Sequence, residues 1–276
     1  MSLGQTALLG ALAGATIFIG LPVGRISAMG SRTRVALAMF SVGVLVFLLV
    51  DVLAHGLEIA EGAVDAAKNG EGTIGAAVGL TLLFLGGFAL GSAGLGAIER
   101  RLHVSTSPLP ANGEGSGGPE AGEALRRRAL RTGLIIAGAI GVHNFAEGLA
   151  IGVSARSGAI ALATVLIIGF ALHNATEGFG IVGPLGDIKP SWSWLGLAGL
   201  IGGGPTFLGS IVGYHVTSEP LELAFYAVAG GAILYVIGEV WHGMRRHGHR
   251  ELALSLLACG FGAGVLTDFV VVFGGG

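Results

Sequence analysis

The sequence predicts an all-α membrane protein, an eight-transmembrane-helix bundle with both termini extracellular or periplasmic. Three observations carry that expectation. The chain has 276 residues, of which 52% are apolar and 12% charged, and its mean hydropathy is +0.79; a typical soluble domain is about a quarter charged. Eight apolar stretches are each long enough to cross a bilayer, which takes roughly 20 residues. The basic residues gather in alternate connections, as the positive-inside rule requires. Together these exclude an ordinary soluble enzyme and a disordered chain. A net charge of −2 leaves no basic footprint for nucleic acid. The single cysteine, Cys259, excludes a disulfide framework and a Cys-rich metal site. The 52 glycines sit mostly inside apolar runs, where small residues let membrane helices approach closely.

The expected spans are roughly 4–23, 35–57, 73–98, 130–154, 158–182, 192–216, 221–243 and 251–273. They form one transmembrane domain, 1–276. Span one is no cleavable signal peptide, since Arg25 follows the apolar stretch and nothing basic precedes it. Thirteen of the fifteen Lys and Arg fall in the connections after spans one, three, five and seven. The opposite side carries Lys68 and Arg156 with the acids Glu58, Glu61, Asp65, Glu71, Glu219 and Glu222. The one long connection, 102–128, is Ser/Pro/Gly-rich in its middle and reads as a flexible cytoplasmic loop. Trp192, Trp194 and Trp241 fall where an inner aromatic belt is expected.

Spans four and five repeat one polar string. Span four reads His143-Asn144-Phe145-Ala146-Glu147-Gly148 and span five His173-Asn174-Ala175-Thr176-Glu177-Gly178. In each, His and Glu are four apart and share a helix face, with Asn beside it. The short turn between the spans makes them antiparallel neighbours, so the two faces can meet near mid-membrane. A lone carboxylate there costs several kcal/mol, about 2.5–3.5 on insertion scales, and these spans offer no Lys or Arg to pair with it. Protonation or a divalent cation would neutralise the pair. Two carboxylates and two imidazoles without Cys suit Zn²⁺, Fe²⁺ or Mn²⁺ better than Cu⁺, Ca²⁺ or Mg²⁺. Interhelical hydrogen-bonding glue is the bland alternative, but glue has no need of two carboxylates. The candidate metal residues are His143, Asn144, Glu147, His173, Asn174 and Glu177.

Other polar residues lie toward the two ends. Asp51, His55 and Glu58 form one stripe at the outer end of span two and read either as a cation-collecting entrance or as solvated interfacial groups. Glu239 and His242, three apart in span seven, read as an exit path or as interfacial residues paired with Arg245 or Arg246. His215 and Tyr214 end span six, and Asp268 is an isolated acid in span eight.

The paired motifs in an eight-span frame resemble the ZIP (ZRT/IRT-like) family of divalent metal transporters, and the resemblance covers essentially the whole chain. Gly20-Leu21-Pro22-Val23 and the run Ala229-Gly230-Gly231-Ala232 with Tyr235 and Glu239 are weaker similarities. The resemblance implies uptake of divalent metal toward the cytoplasm by alternating access. Spans one, four, five and six would carry metal past a scaffold of two, three, seven and eight. It implies no prosthetic group, only the transported ion, zinc with iron and manganese as further candidates. It places the chain in a bilayer, the plasma membrane of a prokaryotic cell, and leaves a homodimer open. Departures are Ala146 and Thr176 where the family has Pro before the Glu, and Gly204-Pro205 where many members have Glu-Pro. The long loop holds only His103. An intramembrane metal-dependent hydrolase and a passive divalent-cation channel remain alternatives. No nucleophile or His-Glu-x-x-His string favours the first, and flux saturation would separate the second from a carrier.

Overall fold

The computed structural model describes residues 1–26, 30–103, 119–156, 174–185, 188–215, 218–245 and 248–273. Among these residues all regular structure is helical. Helix α1 spans Leu3–Ala15 and continues, after a break at Thr16, through Ile17–Gly20 and a 3₁₀ turn at Leu21–Arg25. Helix α2 is Ser31–Lys68, and α3 is Ile74–Ala89, extended by a π-helical turn over Leu90–Gly94 and by Leu95–His103. Helix α4 is Pro119–Arg156; α5 comprises residues 174–182 and closes in a 3₁₀ turn, Gly183–Leu185. Helices α6, α7 and α8 are Trp192–His215, Glu219–Arg245 and Arg250–Phe273. Among the described residues, seven helical stretches are long and apolar enough to cross a membrane. The remaining expected span, 158–182, is described only over 174–182.

Local chemistry explains the helix ends. Ser2 caps α1, accepting from the Gln5 amide while the Gln5 side chain accepts from the Ser2 amide. This reciprocal pair satisfies two of the N–H groups that a helix start leaves over. The Thr73 hydroxyl does the same for Ala76 at the start of α3. Helix α2 runs past its expected end at residue 57 to Lys68, because Glu58 to Lys68 contains no residue that stops a helix except one tolerated glycine, Gly62. Gly70, at φ +78°, makes the turn that follows.

The loop expected at 102–128 is described only at its two ends, where α3 runs to His103 and α4 starts at Pro119. Proline at the first helical position loses no hydrogen bond. The following Glu120, Ala121, Glu123, Ala124 and Leu125 are good helix formers, enough to extend the span into the aqueous side. Residues 104–118 lie outside the described set.

Packing divides the helices into two sets. Helix α6 packs extensively on α4 and on α1; α8 packs on α2, and α7 on α2 and α3. The closest approaches occur at glycines whose Cα rests on a backbone carbonyl of the neighbour. A Cβ on Gly209 would overlap the Phe145 carbonyl, one on Gly148 the Thr206 carbonyl, and one on Gly178 the Ile17 carbonyl. In the other set, Gly260 meets Phe40 O, Gly43 meets Leu257 O, and Gly91 meets Val228 O. Among the described residues every such glycine–carbonyl contact between helices stays within α1, α4, α5 and α6 or within α2, α3, α7 and α8. Side chains bridge the two sets: the shared apolar core of Ile136, Ile140, Ile233 and Val236, the Phe145–Phe225 ring pair at 5.0 Å, and a hydrogen bond from Ser41 Oγ to Thr176 O at 2.9 Å. Exposed apolar residues such as Leu82, Leu85, Leu266 and Phe269 form the surface that lipid covers.

Gly209→Ala should therefore lower stability in detergent by about 1–3 kcal/mol, as overpacking does. Gly262→Ala, with nothing within 4 Å of the added carbon, should be neutral or gain about 0.5–1 kcal/mol from helix propensity. Thermal unfolding of the two variants checks both.

Candidate metal centre

Four helices meet at the paired motifs. His143, Asn144 and Glu147 of α4 and Asn174 and Glu177 of α5 are each no more than 5% exposed. His143 Nε2 lies 2.9 Å from Glu147 Oε1 and 3.8 Å from Glu177 Oε1. One imidazole thus faces two carboxylates from two helices, as the i, i+4 spacing in span four and the pairing of spans four and five lead one to expect. Among the described residues no group of three or more His, Cys, Asp or Glu is arranged to hold a metal ion. His173, the second imidazole nominated by the sequence, lies outside the described residues.

The two asparagines are held in fixed orientations. Asn144 Nδ2 donates to Glu177 Oε2 at 3.1 Å and to Gly202 O of α6 at 3.0 Å. Asn174 Nδ2 donates to Ala13 O of α1 at 3.1 Å. A carbonyl can only accept, so these bonds decide which end of each amide is nitrogen. The other ends, Asn144 Oδ1 and Asn174 Oδ1, are buried acceptors with no hydrogen-bond partner among the described residues.

The Ala13 carbonyl comes from an irregular stretch of helix, and the Gly202 carbonyl from a continuous helix that contains a proline. The α1 ladder is interrupted at Thr16, whose amide and hydroxyl turn back onto Ala13 O at 3.2 and 2.6 Å. In α6, Pro205 has no N–H for the carbonyl four residues back, Ile201. That carbonyl packs against Gly141, and Gly202 is the next residue. Irregular backbone is tolerated at membrane depth where it is buried in protein and its polar groups find partners. The sequence shows the Pro205 signal but gives no sign of the break at Thr16, so sequence reasoning misses the carbonyls that spans one and six contribute.

The outer candidates lie along one stretch of α2. Asp51 and His55 are exposed at 40% and 53% of their side chains and lie 3.8 Å apart. The His55 ring also stacks near Tyr226 at 5.7 Å. Asp51 lies within electrostatic reach of Asp268 on α8 and of His143 and Glu147 in the centre. Asp268, isolated in sequence, thus shares the electrostatic field of the outer stripe. Glu58 is exposed one turn beyond. At the other end Glu239 is half-buried and His242 exposed. Arg25 donates to Pro190 O and stacks over Trp192 at 4.8 Å, tying the end of α1 to the start of α6.

Asn144→Leu removes both donated hydrogen bonds, to Gly202 O and to Glu177 Oε2. The expected loss is about 1–3 kcal/mol, read as a lower unfolding temperature. Asn144→Gln, which displaces the amide by one methylene, should recover only part of it.

Comparison with known proteins gives a consistent answer. The sequence model of the family described as ZIP zinc transporter matches residues 98–267. The chain is 28% identical over 243 residues to a zinc transporter ZupT of Corynebacterium glutamicum, covering 82% of this chain and 86% of the relative. It is 27% identical over 205 residues to the zinc transporter ZupT of Corynebacterium aurimucosum, covering 71% and 73%. Against the zinc transporter ZupT of Clostridium perfringens it is 30% identical over 140 residues, covering 48% and 47%. The matched region contains both His-Asn-x-x-Glu-Gly strings and the α4–α6 contact. With its membrane-length helices and its paired buried carboxylates, the chain belongs to the ZIP family, as a multi-pass plasma-membrane protein that transports divalent metal.

Proposed function

We propose that the chain carries zinc, with iron and manganese as alternative substrates, toward the cytoplasm by alternating access through the His/Asn/Glu centre of α4 and α5. The observation that carries this reading is the convergence of His143, Glu147 and Glu177 within 2.9–3.8 Å, buried and flanked by two amide oxygens that have no hydrogen-bond partner among the described residues. The ligand set is His143, Asn144, Glu147, His173, Asn174 and Glu177. A cation enters by separating the imidazole from the carboxylate it touches, and it exchanges that contact for two negative charges and neutral nitrogen and oxygen donors. Zinc as the substrate follows the names of the relatives.

The partition of glycine contacts supports alternating access. Backbone resting on backbone makes α1, α4, α5 and α6 one tightly coupled unit and α2, α3, α7 and α8 another, while the seam between them is made by side chains. Side-chain contacts can be exchanged during a sliding motion more readily than interlocked backbones. Asp51, His55 and Glu58, with Asp268 within electrostatic reach, would draw cations toward the centre. Glu239 and His242 would receive them at the other end. The side that holds Arg25, Arg126 and Lys189 is the cytoplasmic one on the positive-inside rule.

The test is metal influx into proteoliposomes containing the purified chain, with Zn²⁺, Fe²⁺, Mn²⁺ and Mg²⁺ compared. Saturable transition-metal uptake is expected, and Glu147→Ala and Glu177→Ala should each reduce it by about a hundredfold or more, since a ligand should cost no less than the roughly ten- to hundredfold lost with an outer-shell partner. Normal uptake in either variant would remove the centre from the pathway. Flux that rises without saturation would instead identify a channel.

A further inference from the structure

Thr206 of α6 behaves unlike seven other hydroxyl residues of the bundle. Thr6, Thr16, Thr81, Ser92, Ser210, Ser255 and Thr267 each donate to a carbonyl three or four residues back. That local bond is how a helical Thr or Ser normally satisfies its hydroxyl inside an apolar environment. Thr206 is fully buried, and its Oγ1 has no hydrogen-bond partner among the described residues.

Both of its local acceptors have other contacts. The carbonyl four residues back is Gly202, which already takes the Asn144 amide. The carbonyl three back is Gly203, against which Gly14 of α1 packs. The hydroxyl is left over at a particular place. A side chain on Gly202 would meet Ile17 of α1 at 2.7 Å, Ile181 of α5 at 3.4 Å and Ala137 O of α4 at 3.7 Å. Thr206 lies one turn further along that same face. Its Cβ would be 3.2 Å from a Cβ on Gly14, the residue next to the Ala13 carbonyl that orients Asn174. Thr206 therefore sits among the groups that hold both asparagines, on a helix with no acidic residue.

We infer that the Thr206 hydroxyl is a further oxygen donor to the transported divalent cation, contacting the ion or a water bound to it. This rests on the His/Asn/Glu reading of the centre. It gives α6 a side-chain contact with the substrate at a level where the helix offers no carboxylate. A neutral hydroxyl fits there, because two carboxylates already balance the charge of a divalent ion.

The experiment measures uptake of zinc chloride and of manganese chloride by the full chain in proteoliposomes. It uses Thr206→Val, Thr206→Ser and Thr206→Cys beside Glu177→Ala. Thr206→Val should raise KM for zinc about tenfold without lowering the unfolding temperature, since it removes no hydrogen bond. A structural hydroxyl would do the reverse. Thr206→Ser should restore KM. Thr206→Cys places a softer donor at the same point and should shift preference toward zinc over manganese by about tenfold or more. Unchanged KM in Thr206→Val, or an unchanged zinc-to-manganese ratio in Thr206→Cys, with Glu177→Ala inactive, overturns the Thr206 assignment and leaves the centre in place. Should Thr206→Val fail to accumulate, the Ser and Cys variants decide alone on the same criteria. Normal uptake in Glu177→Ala overturns the reading of the centre instead.

Discussion

Two carboxylates have to be kept inside an apolar bundle whose motif-bearing spans bring neither Lys nor Arg to them, and much of the architecture follows from that constraint. Burying an ionisable group without a partner is among the largest single costs a fold can carry. Here Glu147 and Glu177 face one imidazole, His143, and Glu177 also accepts from Asn144. The asparagines need partners of their own. They find them in Ala13 O and Gly202 O, at the Thr16 break in α1 and beside Pro205 in α6. The centre thus reaches four helices, though only two of them carry the repeated motif.

The constraint also explains the glycines. If α1 and α6 are to offer backbone carbonyls to side chains on α4 and α5, the four helices must lie unusually close. Gly14, Gly148, Gly178 and Gly209 supply that closeness. In a bilayer, where lipid tails are as apolar as the protein, close van der Waals packing is a main source of helix association. The same small residues that bring the carbonyls within hydrogen-bond reach also make these helices cohere. The second set repeats the device at Gly43, Gly91 and Gly260 without polar side chains at its contacts. Coherence within each set, and side-chain contact between them, are two results of where the glycines fall.

The sequence reveals the parts of this that depend on composition and short-range period. Apolar runs give the helices, and the i, i+4 spacing puts His143 against Glu147. Repetition of the string brings Glu177 to the same point. What depends on the approach of distant segments is not legible. Nothing near Thr16 announces that α1 breaks there, and nothing near Asp268 announces that it comes within electrostatic reach of Asp51. The linker expected at 102–128 shows a different difficulty. Its Ser/Pro/Gly-rich middle masks the character of its flanks, while the helix-forming residues after Pro119 simply continue α4. Hydropathy marks where a helix is buried in lipid and says little about where it stops once it reaches water.

The absence of an acid from α6 also makes sense on electrostatic grounds. On the proposed reading, two carboxylates, neutral imidazoles and one divalent cation sum to zero. A loaded centre of zero net charge can shift within a low-dielectric bundle without dragging an unbalanced charge through it, which would cost several kcal/mol per ion. A third carboxylate from α6 would leave the singly loaded centre negative unless it bound a proton or a second cation. Gly202, whose carbonyl orients Asn144, lets α6 contribute through a dipole instead. Dipoles fix ligand geometry and add no net charge, so the helix can help hold a divalent ion while leaving the carrier balanced for one ion at a time.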